Sequence, residues 1–195
     1  MTRSADISRT TKETDIRLSL ALDGAGEGKR STGIGFFDHM LDALARHARI
    51  DLDVSVEGDL ETGPHHTVED TGIAIGQALD EALGDRSGIR RFGHAVVPMD
   101  EARAAASIDI SGRPFTYLQA DWPDTPLGGF EPGLFEEFTR GLANNAKLTA
   151  HVAVEQQGDT HHEVEACMKA LARALREAVS IDPDESGIPS TKGLL

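Results

Sequence analysis

Two stretches decide the fold: His65-His66-Thr67-Val68-Glu69-Asp70 and His161-His162-Glu163-Val164-Glu165-Ala166. Both read HHxVE, and they begin 96 residues apart in a chain of 195. They hold four of its eight histidines. Each block opens a helical stretch. After the second, Val164, Met168, Leu171, Leu175 and Val179 recur at helical spacing; after the first, Val68, Ile75, Leu79 and Leu83 do so less cleanly. On a helix, His65 and Glu69 stand four residues apart on one face, and His66 and Glu69 three apart. Adjacent histidines diverge by about 100° around the turn. One ion would struggle to use both members of a pair, whereas two ions can take one each. Imidazole nitrogen with carboxylate oxygen suits manganese, iron or zinc. A single HH pair reads as a polar helix start; two copies with the same glutamate offset point to a dinuclear His/Glu metal site.

Working outward, the blocks belong to a longer repeat. Phe37-Asp38-His39 aligns with Phe135-Glu136-Glu137, Leu44-Ala45 with Leu142-Ala143, and Ala48-Arg49-Ile50 with Ala146-Lys147-Leu148, all at an offset of 98. Val54, Val56 and Glu57 match Val152, Val154 and Glu155 at the same offset, and a loop shorter by two residues then gives the 96 of the HH blocks. Ile16, Leu18, Leu20 and Leu22 alternate with polar or small residues as a half-buried strand does, and so do Ile50, Leu52, Val54 and Val56. Helices are expected from Phe37 to Ala48, from the first HH block to Leu83, from Leu134 to about Lys147 and from the second HH block to about Ser180. Further strands are expected over Ala104–Ile110, Phe115–Ala120 and Leu148–Val154. Met1 to Lys12 reads as a polar arm, and glycine-rich Asp23 to Gly33 as a hairpin turn. Each half then runs strand, strand, helix, strand, HH helix. The expected class is α+β: an internally duplicated two-layer α/β unit, each half a sheet with helices on one face and the other face free to meet its twin. The halves divide at about 1–95 and 96–187, with a tail over 188–195.

Composition narrows the function. A net charge of −14 and a pI near 4.9 argue against nucleic acid or an anionic membrane surface as partner. An anionic substrate would need a local basic cluster; Arg86, Arg90 and Arg91 form the densest basic run, and surface patch and anion site both fit it. Cys167 is the only cysteine, at core spacing, which excludes an intrachain disulfide and fits the reducing cytoplasm. No apolar run suffices for a signal peptide or membrane helix.

Phe37-Asp38-His39-Met40-Leu41, the first HH block, Arg91-Phe92-Gly93, Ser111-Gly112-Arg113-Pro114, the second HH block and Pro189-Ser190-Thr191-Lys192-Gly193 follow one another in this order. On them the chain resembles the imidazoleglycerol-phosphate dehydratase family of histidine biosynthesis over essentially its whole length, in the single-function form. The resemblance implies a fold like the second domain of ribosomal protein S5, assembly into 24 identical subunits with sites between subunits, and two manganese ions per active site. It implies His39, His65, His66, Glu69, His161, His162 and Glu165 as metal ligands, Glu13, Glu165 and Lys169 as catalytic groups, and Arg91, Arg113, Ser190 and Lys192 as the substrate-phosphate site. Glu137 stands opposite His39 in the internal alignment; it is either a further ligand or a solvated helix charge. Lewis acids at the substrate's ring nitrogens would create an electron sink beside the breaking bonds, with glutamates moving protons. Rival readings are another dinuclear His/Glu hydrolase or oxygenase, and a non-catalytic metal-storage or assembly protein, which would have no use for Arg91, Arg113 and Lys192.

Overall fold

The computed structural model describes residues 3–195. Its first half runs β1 (Ser4–Thr10), β2 (Thr14–Ala21), β3 (Arg30–Ser31), α1 (Gly35–Ala48), β4 (Asp51–Gly58) and α2 (His65–Leu83). The second repeats the order as β5 (Phe92–Met99), β6 (Ala102–Asp109), β7 (Phe115–Gln119), α3 (Leu134–Ala146), β8 (Thr149–Gln156) and α4 (Thr160–Val179). The sheets have the same strand order, β1-β2-β4-β3 and β5-β6-β8-β7, antiparallel except for the parallel pairs β3/β4 and β7/β8. The equivalence reaches single residues. Arg49 and Lys147 both end their helices in the left-handed region at φ 55°, each donating its backbone N–H four residues back, to Ala45 and Ala143. Two similar α+β halves follow the expected class.

Three local expectations change. Residues 4–10 of the supposed arm form the edge strand β1, whose register runs from Ser4 opposite Ala21 to Thr10 opposite Asp15; Met1 and Thr2 lie outside the described residues. The glycine-rich segment is no hairpin turn: β2 pairs with β4, and the segment crosses between sheet positions, held by the Asp51 carboxylate, which accepts from the N–H groups of Ala25, Gly26 and Glu27 at 2.9–3.0 Å. Strand β5 is an addition to the expected list.

The manner in which the halves meet is also corrected. The outer sheet faces carry exposed Arg17, Ser19, Asp53 and Ser55 in one half and Phe92, Val96, Phe115 and Tyr117 in the other. The helices meet instead, α2 on α3 and α1 on α4, giving the layers sheet, helices, helices, sheet. Small residues make this possible. A Cβ at Gly72 would lie 2.4 Å from the Phe138 carbonyl oxygen, one at Gly76 2.5 Å from that of Leu142, and one at Gly141 2.9 Å from that of Glu69. One apolar core runs through both halves, with Phe37, Phe130, Phe135 and Phe138 wholly buried in it. Cys167 is buried there too, and burial pushes its thiol up to about 12.

Candidate active site

The crossing of α1 over α4 brings three expected ligands together. His39 Nε2 and His161 Nε2 lie 3.1 and 3.3 Å from the same oxygen, Oε2 of Glu165. The other oxygen pairs with Lys169 Nζ at 2.7 Å. Glu165 is nearly buried, while the two histidine side chains are 50% and 44% exposed, so the cluster opens to solvent on its imidazole side. Burial alone would raise the Glu165 pKa; hydrogen bonds from Lys169 and His39 outweigh it and hold the carboxyl below its ordinary value. Phe36 packs edge-on against both rings, 6.3 Å from His39 and 5.0 Å from His161 between centroids, restricting their rotation. The Asp159 carboxylate caps α4 by accepting the His161 N–H at 2.9 Å, which fixes where the HH block begins.

The first block is more open. His65 Nε2 and Glu69 Oε2 are 3.4 Å apart on α2, both more than a third exposed. Its neighbour His66 turns the other way, as expected, and approaches Glu13 Oε1 at 3.7 Å. Glu13 sits in the turn between β1 and β2. Glu137, on α3, is half-buried and accepts from Arg140 at 2.8 Å; it is not gathered with His65 and Glu69.

Two carboxylates escaped the sequence reading. His66 Nδ1 lies 3.1 Å from both oxygens of Asp59, and His162 Nδ1 lies 3.2 and 3.1 Å from the two oxygens of Glu101. These hydrogen bonds raise both histidine pKa values. Glu101 is pushed down to about 2, chiefly by the backbone N–H of Asp159. Asp59 lies in a polar loop and Glu101 in the β5–β6 turn; no local pattern marks either as a partner of a histidine.

The residues expected to hold the phosphate converge elsewhere. Arg91, Arg113, Ser190 and Lys192 line one cavity of about 470 Å³ with Ser111 and Gly112. Arg91 donates to Asp109 at 2.7 Å and to the Pro189 carbonyl at 2.9 Å, tying the C-terminal tail down. Gly112 has φ 73°, the left-handed geometry that turns the chain into the cavity. Among the described residues the Lys192 ammonium has no carboxylate partner within ion-pair distance. The basic run divides: Arg91 lines the cavity, Arg90 is exposed, and Arg86 is buried against Asp80 and the Ala146 carbonyl as part of the scaffold.

Converging imidazoles, a buried carboxylate with its lysine, and a basic cavity on a duplicated α+β frame are the groups that an enzyme of the acid–base or Lewis-acid class uses. Residues 32–175 match the family model described as imidazoleglycerol-phosphate dehydratase. Relatives of that name include one from Granulibacter bethesdensis, 56% identical over all of both chains, and one from Moorella thermoacetica, 53% identical over all of both. Among solved structures, the dehydratase of Staphylococcus aureus superposes with a TM-score of 0.83 at 37% identity, covering 92% of this chain and 99% of its own. That of Pyrococcus furiosus gives 0.84 at 38%, covering 97% and 100%. The chain belongs to the imidazoleglycerol-phosphate dehydratase family. It is a carbon–oxygen lyase, a hydro-lyase of histidine biosynthesis.

Proposed function

We propose that this chain dehydrates imidazole glycerol phosphate to imidazole acetol phosphate in the cytoplasm as a manganese enzyme with two ions per active site, the sites being completed between subunits of a 24-subunit particle. The observation that carries the metal reading is the convergence of His39 and His161 Nε2 on one oxygen of Glu165. Two imidazole nitrogens and a nearly buried carboxylate, with all ligand atoms within 4.8 Å of one another, are a donor set that fits a borderline divalent ion. His65 and Glu69 offer the same pair of donors on the equivalent helix, and His66 and His162 add one imidazole each. Glu137 is the further candidate, free to join only by leaving Arg140. Bound there, manganese would supply Lewis acidity to the substrate's imidazole ring.

The chain's own groups account for the rest. The reaction removes hydroxide from the carbon beside the ring and a proton from its neighbour, and the resulting enol becomes the ketone. Glu13 and Glu165 are the carboxylates placed to take and return protons. Lys169 Nζ, 2.7 Å from Glu165, holds that carboxylate ionised and ready to accept. Arg91, Arg113, Ser190 and Lys192 take the phosphate in their shared cavity and fix the side chain. None of the HH-block residues lines that cavity. Bringing phosphate and ring sites onto one small substrate is the task assigned to a neighbouring subunit.

The test measures metal content, sedimentation and dehydratase activity on one preparation before and after chelation. Loss of activity and of the large particle, both restored by manganese, is expected. Full activity with metal shown to be absent would refute the metal reading.

A further inference from the structure

We propose that Asp59 and Glu101 are positioning residues that hold His66 and His162 with the proton on Nδ1, leaving each Nε2 as a bare, aimed donor. An ionised carboxylate only accepts hydrogen bonds. A ring nitrogen lying 3.1–3.2 Å from both oxygens of such a group must therefore carry the hydrogen, and in a neutral imidazole the other nitrogen is then a lone pair. A carboxylate behind the ring is the arrangement that fixes tautomer and orientation of a ligating histidine.

The two carboxylates are not products of the duplication. Asp59 directly follows β4, and the equivalent loop after β8 is Gln157-Gly158-Asp159, whose only carboxylate caps α4. The second half draws its carboxylate from another place, the β5–β6 turn. Glu101 Oε1 is anchored there by the Asp159 N–H at 2.6 Å, so it is fixed to the start of the helix that carries His162. Two unrelated positions supplying the same contact to equivalent histidines mark a requirement of the histidines and not an inherited accident. It concerns only the second member of each pair. His65 and His161 instead turn Nε2 toward the glutamate four residues on.

The inference rests on the metal reading above, and the experiment separates the two. Histidine-labelled, metal-free protein is examined by 15N NMR at a pH where the imidazoles are neutral, and manganese(II) affinity is measured on the same samples. Wild type should show His66 and His162 as Nδ1–H forms. Asp59→Ala should shift His66 alone, and Glu101→Ala His162 alone, toward the Nε2–H form, with manganese affinity falling about 10–100-fold in each. Glu101→Gln keeps an acceptor for the Asp159 N–H and controls for loss of that loop contact; it should retain more affinity than the alanine variant. Unchanged tautomers in both alanine variants, or affinities within about threefold of wild type, overturn the inference. Wild type that takes up no manganese overturns the metal reading itself, an outcome recognised without either variant.

Discussion

Gly72→Ala is expected to destabilise the protein, although alanine is the better helix former. Gly72 lies in the middle of α2, where the exchange on an exposed face would gain about 1 kcal/mol of helix propensity. Here the new Cβ would meet the Phe138 carbonyl oxygen at 2.4 Å, its carbonyl carbon at 3.1 Å and its Cα at 3.2 Å. Ordinary van der Waals contact is 3.4–4 Å, so α2 and α3 must separate by roughly 1 Å at this point. All three atoms are backbone, and no side chain can turn away. Overpacking costs about 1–3 kcal/mol, and rigid partners place it at the upper end. Offset by propensity, the net loss is about 2 kcal/mol, or roughly 4–8 °C in melting temperature for a chain of this size. Activity should fall as well, because His65, His66 and Glu69 ride on α2 and a displacement of about 1 Å can cost on the order of a hundredfold. Gly35→Ala is the control: it opens α1 and has nothing within 4 Å of the added carbon. Denaturant and thermal midpoints of the two variants decide the matter. A Gly72→Ala protein as stable as wild type would refute the close-packed α2/α3 crossing.

Arg113→Ala and Lys192→Ala should each weaken substrate binding with metal content unchanged; a charge-assisted hydrogen bond is worth roughly 1.5–3 kcal/mol, so titration calorimetry should show a loss of about tenfold to a hundredfold. Unaltered affinity in both variants removes the phosphate assignment. His47, half-buried on α1, has its pKa lowered by burial, then by Lys169, Arg173 and Arg46, with Glu165 opposing. The unfolded chain therefore binds its proton more readily; the stability it contributes is complete above about pH 6.5 and declines as pH falls toward the lowered folded value. The melting-temperature advantage of wild type over His47→Gln should shrink from about pH 7.5 to about pH 5.5, and a constant difference contradicts this. Cys167, with its pKa raised to about 12, should resist thiol reagents in the native protein and react once it is unfolded; prompt labelling of the native protein would show an accessible thiol.

What was legible in the sequence followed from periodicity. The stripe Val164, Met168, Leu171, Leu175 and Val179 is buried throughout, and Leu18, Leu20, Leu52 and Val54 face the core as their alternation demands. β1 escaped because it is an edge strand with a single buried residue, Ala5; apart from Ile7, which is only partly buried, its other positions are polar. β5 escaped for the opposite reason. Phe92 and Val96 point outward and Val97 and Met99 are only partly buried, while buried Gly93 lies against the Ala174 carbonyl of α4, where a Cβ would be 2.0 Å away. Close packing of helix on strand selects a small residue there and erases the alternation. The interface between the halves was hidden in the same way: Gly72, Gly76 and Gly141 carry no hydrophobic signal, yet they let α2 and α3 touch.

Among the site residues, those bound by local spacing were readable from the pattern itself, and those bound by tertiary contact entered only through the family resemblance or not at all. His65–Glu69 and His161–Glu165 are neighbours on a helix before any fold exists, whereas His39 reaches Glu165 only because α1 crosses α4. That crossing has a pseudo-equivalent, α3 over α2, and the two have diverged. At one, His39 and the second HH block are assembled within the chain around a nearly buried glutamate. At the other, Glu137 stands where His39 would, turned to Arg140, and His65 and Glu69 remain open to solvent. Duplication placed equivalent donors on equivalent helices, but only one crossing closes by itself. Under the proposed function, the open pair is the one that a neighbouring subunit would complete. That also places Asp59 and Glu101 in context, since an imidazole that must meet an incoming group needs its free nitrogen aimed beforehand.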